Sequence, residues 1–126
     1  MDGAPRKALV VEDEPAIQEM ALQAVDELGH DARACSTAEE ALELLAARPR
    51  DFDLVLTDVG LAGEKSGLDL AREISRRWPW VRVVIASGHV YPAQDAIPHN
   101  ACFLMKPWRP LDLIAALVRG RDSGRC

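Results

Sequence analysis

The strongest limit on how this chain can fold is a regular alternation: short β-like runs, each followed by a segment with helical spacing. Ala8-Leu9-Val10-Val11 is the first run, and Ile17, Met20, Ala21, Ala24, Val25 and Leu28 follow on one helical face. Pro15 suits the first turn of that helix and Gly29 its stop. Asp31–Cys35 is the second run. Thr37 and Glu40 then have capping-box spacing ahead of Ala41, Leu42 and Leu45, and Pro49 closes that helix. Asp53-Leu54-Val55-Leu56-Thr57 is the third run. A loop from Gly60 to Gly67 leads to a helix bearing Leu70, Ala71, Ile74 and Trp78, closed by Pro79. Val81–Ala86 and Ala101–Met105 are the fourth and fifth runs. Leu111, Ile114, Ala115 and Val118 mark a last helix between Pro110 and Gly120. From Ser87 to Asn100 the alternation fails, and the fourth helix is expected to be short or missing.

Five strand–helix units with near-continuous apolar strands imply an α/β fold whose parallel sheet is covered on both faces. Right-handed crossovers favour a flavodoxin-like, doubly wound sheet with strand order 2-1-3-4-5. The 126 residues are read as a single domain, with a core over about 6–120 and short flexible termini. A formal net charge of −5 argues against a nucleic-acid surface, and no apolar run approaches membrane-spanning length. Met1 to Lys7 holds no apolar stretch of signal-peptide length, so a cytoplasmic location is expected. Cys35, Cys102 and Cys126 show no Cys-x-x-Cys spacing and read as free thiols.

In this topology ligands bind beyond the carboxyl ends of the strands, at the switch between strands one and three. Glu12 and Asp13 follow strand one, Asp58 strand three, Ser87 strand four and Lys106 strand five. Three carboxylates on one crevice repel and call for a counter-ion. Lys106 supplies one positive charge. Oxygen-only ligands favour Mg²⁺ or Mn²⁺ over zinc. No glycine-rich phosphate cradle follows strand one, which counts against nucleotide or flavin binding. A carboxylate can attack a phosphoryl group to form an acyl phosphate, with Lys106 and the Ser87 hydroxyl taking up the developing charge. Each residue also has an ordinary reading. Asp13 or Glu14 can cap the first helix, Asp58 can be a turn residue, Ser87-Gly88 a plain turn and Lys106 a surface lysine.

Val10-Val11-Glu12-Asp13-Glu14-Pro15, Asp53 to Val59, Ala86-Ser87-Gly88 and Lys106-Pro107 together resemble the receiver family of two-component response regulators. The resemblance implies that Asp58 accepts a phosphoryl group from a sensor histidine kinase or a histidine phosphotransfer protein. It implies Mg²⁺ bound by Asp13, Asp58 and the Gly60 backbone carbonyl, with Glu12 acting through water. It makes Ser87 and Phe103 the switch pair and the Lys106–Pro107 peptide cis. His89 would tune access of hydrolytic water. On this reading the chain is a phosphoacceptor rather than an enzyme, at most dephosphorylating itself slowly. It would be a monomer or weak dimer that contacts neither nucleic acid nor membrane. Ala62 replaces the family's usual proline, the 62–67 loop looks one residue longer than the common form, and Trp108 replaces a frequent phenylalanine. These departures and the shortened helix motivate an alternative, a receiver-like binding module that signals without phosphorylation. An aspartyl-phosphate hydrolase would commonly place a second aspartate two residues past the nucleophile, where this chain has Gly60.

Overall fold

The computed structural model describes residues 6–61, 63–87, 98, 100–105, 109, 111–113 and 115. In chain order the elements are β1 (Arg6–Val11), α1 (Pro15–Glu27), β2 (His30–Cys35), α2 (Ala38–Ala47), β3 (Phe52–Asp58), α3 (Gly67–Arg77), β4 (Arg82–Ser87) and β5 (Ala101–Met105). Residues 111–113 and 115 are helical. The five strands form one parallel sheet in the order β2-β1-β3-β4-β5, as the alternation predicts. The segment on which the shortened fourth helix was expected lies almost wholly outside the described residues, as do His89, Lys106, Pro107 and Trp108.

The period of two along each strand divides the core into two layers. Leu9, Val11, Val55, Val83 and Ile85 point to the face covered by Leu45 of α2 and Leu70 and Ile74 of α3. Ala8, Val10, Leu54, Leu56, Val84 and Ala86 point to the opposite face, under Ala21, Ala24 and Val25 of α1 and Leu113 of the last helix. β1, β3 and β4 are apolar on both sides because both sides are covered. β2 is an edge strand, and there the pattern becomes polar outward, with Asp31 and Arg33 exposed.

Helix ends follow from local chemistry. Glu14 is the N-cap of α1 and makes no side-chain cap bond, and Pro15 occupies the first turn. Gly29, at φ +91°, ends α1 in the left-handed region that favours glycine. Thr37 caps α2, its hydroxyl accepting the Glu40 N–H at 3.1 Å, but the reciprocal bond differs from a capping box: the Glu40 carboxylate accepts from Ser36 N–H at 3.2 Å. The full capping box is on α3, where Ser66 accepts from Asp69 N–H and Asp69 accepts from Ser66 N–H. That backbone bond holds the Asp69 carboxyl below the usual carboxylate range. Its contribution is present near neutrality and is lost as pH falls through that lowered value.

Cys35 is free and buried. Cys102 is disulfide-bonded, which corrects the free-thiol expectation for that residue.

Truncating Ile74, fully buried between α3 and the sheet, should lower stability by ~2–5 kcal/mol in urea denaturation. Met20→Ala, at a site 41% exposed, should cost under about 0.5 kcal/mol.

Burial, reinforced by nearby Glu40, pushes the Cys35 thiol up from 9.0 to about 12. The unfolded chain therefore loses this proton first. The stability contribution is complete below pH 9.0 and falls as pH rises toward about 12. The alkaline slope of the urea midpoint should be shallower in Cys35→Ala than in the parent protein.

Candidate phosphoryl and metal site

The site begins with the register of two central strands. β1 and β3 pair from Lys7↔Phe52 to Val11↔Thr57, with one irregularity between Lys7 and Ala8. The next residues along each chain, Glu12 and Asp58, therefore emerge side by side at the carboxyl edge. One carboxylate oxygen from each of Glu12, Asp13 and Asp58 lies within 4.8 Å of the others. Glu12 is buried, Asp58 half-buried and Asp13 exposed. A small crevice lined by Val10, Val11, Glu12, Ile17, Leu56, Thr57 and Asp58 opens at the same edge.

Two unit charges about 4 Å apart repel by ~4 kcal/mol at the effective dielectric constant of about 20 that suits a protein surface. The backbone that carries these groups is correspondingly well tied. Glu12 N–H donates to the Cys35 carbonyl at 3.0 Å, extending the β1–β2 ladder by one residue. The Glu12 carboxylate accepts from Glu14 N–H at 3.1 Å. The Gln18 side chain donates to the Glu12 carbonyl at 2.9 Å and reaches the Cys35 carbonyl at 3.4 Å. On the β3 side, Val59 N–H donates to the Ala86 carbonyl at 3.0 Å. The Thr57 hydroxyl donates to the Asp58 carbonyl at 3.0 Å.

Gly67 completes this support. Its N–H donates to the Val59 carbonyl at 2.8 Å, and a Cβ built on it would lie 1.9 Å from the Asp58 carbonyl oxygen. Only glycine lets the start of α3 seat directly on the backbone of the acidic residue. Further along the same loop, the Glu39 carboxylate of α2 accepts from Lys65 N–H at 3.3 Å. A Cβ on Gly63, at φ +97°, would meet that carboxylate at 2.9 Å.

Of the residues singled out by sequence, Glu12, Asp13 and Asp58 are brought together. Gly60 lies exposed in the bend two residues past Asp58. Ser87 ends β4, one residue beyond Ala86, the partner of Asp58, and pairs with Met105 at the end of β5. Phe103 is half-buried beside Ile85 and packs on the α2–α3 side of the core. Lys106 lies outside the described residues. The capping alternative fails for Glu14, and the N-cap position does not fall on Asp13. Gln18, Glu39 and Gly67 were not anticipated. The signal available for Gln18 was a carboxamide in the turn that follows the acidic pair.

The donor set is oxygen-only, carries up to three negative charges and stands at the edge of a parallel sheet. It fits a hard divalent cation. The family model for the response regulator receiver domain matches residues 8–118. The chain belongs to the response-regulator receiver family. The receiver is 39% identical over 123 residues to response regulator protein PilR of Pseudomonas aeruginosa, covering 93% of this chain and 27% of that protein. It is 34% identical over 122 residues to nitrogen assimilation regulatory protein NtrX of Azorhizobium caulinodans, covering 93% of this chain and 26% of that protein. The receiver thus spans about a quarter of the length of these curated relatives. Among solved structures, the NtrX receiver domain of Brucella abortus aligns with a TM-score of 0.78 and 32% identity over 93% of this chain and 99% of that one. A receiver domain of Methanospirillum hungatei aligns with a TM-score of 0.79 at 23% identity, over 96% and 97% of the two chains, which speaks to the fold alone. Membership carries with it a phosphoacceptor function in two-component signalling, and the phosphorylation-independent alternative is not favoured. Among the described residues no helix is long and apolar enough to cross a membrane.

Gly67→Ala should destabilise the receiver by ~1–3 kcal/mol, because the methyl group meets backbone rather than a movable side chain. Urea denaturation measures the loss.

Proposed function

We propose that Asp58 is the phosphoacceptor and that Asp13, Asp58 and the Gly60 carbonyl hold Mg²⁺ directly, with Glu12 holding it through water. The observation that carries the reading is the convergence of Glu12, Asp13 and Asp58 within 4.8 Å at the carboxyl edge of β1 and β3. When bound, Mg²⁺, or Mn²⁺ in its place, supplies positive charge that offsets the carboxylates and an incoming phosphoryl oxygen.

The donor is a phosphohistidine on a sensor histidine kinase or a histidine phosphotransfer protein. An Asp58 carboxylate oxygen attacks the phosphorus, the P–N bond breaks, and the imidazole leaves with the electron pair. The three equatorial oxygens then need partners. Lys106 and the Ser87 hydroxyl serve two of them, joined by backbone N–H groups of the loop after β3. Asp58 is a carrier in this scheme, since Gly60 occupies the place where a hydrolase would have its second acid, and self-dephosphorylation is slow. Phosphorylation biases a two-state equilibrium in which Ser87 moves toward the phosphoryl group and Phe103 follows. Residues 1–126 act as one receiver domain, monomeric or weakly dimeric, in the cytoplasm, and contact neither nucleic acid nor membrane.

Intact-mass measurement after incubation with Mg²⁺ and a small phosphodonor should reveal one added phosphoryl group. The Asp58→Asn variant should remain unmodified. Equal labelling in that variant would remove Asp58 from the role.

A further inference from the structure

Three like charges drawn to one edge tend to push apart the strand ends that carry them. On the β3 side the backbone is braced by Gly67 and Val59. On the β1 side the acidic pair sits in a three-residue connection, Glu12 to Glu14, between the end of β1 and Pro15. The ladder reaches only as far as Glu12 N–H there. What closes the connection is a side chain. Gln18, half-buried in the first turns of α1, sends its carboxamide N–H₂ back to the Glu12 carbonyl at 2.9 Å and toward the Cys35 carbonyl at 3.4 Å. Both acceptors are backbone oxygens, so only the nitrogen end of the amide can face them; the opposite orientation would set three oxygens together.

The Cys35 carbonyl ends β2, and the Glu12 carbonyl directly follows β1, the neighbouring strand. Gln18 therefore ties the start of α1 to the ends of both β1 and β2, and fixes the peptide unit between Glu12 and Asp13. The direction of the Asp13 carboxylate depends on that peptide.

We propose that Gln18 is a positioning residue for the cation site. Its amide staples the β1–α1 connection so that Glu12 and Asp13 stay within reach of Asp58 against their mutual repulsion. The inference rests on the receiver reading of the site and deepens it by naming a group that touches neither metal nor phosphoryl. Neighbours that orient metal ligands are commonly worth between about ten- and a hundredfold in metal affinity.

The test uses the whole chain and Mg²⁺ alone. Gln18→Met keeps length and bulk but loses the donor; Gln18→Arg keeps a donor. Isothermal titration with MgCl₂ should give a Kd about tenfold weaker for Gln18→Met. For Gln18→Arg it should fall within about threefold of the parent. Amide hydrogen exchange at Glu12 and Glu14, followed in EDTA, should quicken in Gln18→Met and return toward the parent rate in Gln18→Arg. Equal Mg²⁺ affinity in parent and Gln18→Met would overturn the proposal, as would weakening in both variants without donor rescue. A parent protein that binds no Mg²⁺ would instead overturn the cation site of the receiver reading. The staple is then decided by exchange alone: unchanged rates at Glu12 and Glu14 in Gln18→Met reject it, and donor-dependent rates uphold it.

Discussion

Electrostatic repulsion among carboxylates is the cost around which this receiver is built. Glu12, Asp13 and Asp58 carry like charge when ionised, and the backbone of β1 and β3 sets their proximity. The backbone can do this because β1 and β3 are central strands, buried on both faces and hydrogen-bonded on both edges. The helices contribute at their N-terminal ends, where α1 and α3 begin beside the site. α1 starts on Pro15, and its N-cap residue Glu14 makes no side-chain cap bond. α3 starts on a capping box and a glycine whose lack of a side chain admits the Asp58 carbonyl. The apolar layers below, with Leu9, Val55 and Ile85 on one side and Val10, Leu56 and Ala86 on the other, supply the rigidity that the charges work against.

Much of this architecture could be read from the chain because it rests on periodic signals. Strand runs such as Leu54-Val55-Leu56 are apolar at successive residues, which identifies a sheet covered on both faces and hence the strand order. Glu12, Asp13 and Asp58 were accessible for the same reason: once strands one and three are neighbours, the residues that follow them must meet. What escaped reading depends on contacts between positions with no periodic relation. Gln18 reaches the carbonyl of Cys35, and Glu39 reaches the loop amide of Lys65. The Ser66–Asp69 box was hidden inside a stretch that reads as a glycine-rich loop, while Thr37 and Glu40 suggested a box whose second bond goes to Ser36 instead. Strand ends also moved by a residue or two, as with β4, which runs Arg82–Ser87 rather than Val81–Ala86. The hydrogen-bond ladder, not side-chain polarity, decides where a strand stops.

The loop after β3 is held at two points by different elements. At its far end Gly67 seats on Asp58, which brings the first turn of α3 into direct backbone contact with the acidic residue. Midway, Glu39 binds Lys65 N–H and lies against Gly63, which joins the loop to α2 without passing through the sheet. Exposed Gly60 lies ahead of both anchors, two residues past Asp58.

The lateral border formed by β2 bears on how such domains can meet. Its residues Asp31 and Arg33 are charged and exposed. Charged borders of this kind discourage a foreign strand from docking on the edge amides and carbonyls. Growth of the sheet across two molecules is disfavoured on that side, which directs recognition toward helical and loop surfaces and leaves the β2 flank a solvent-facing wall.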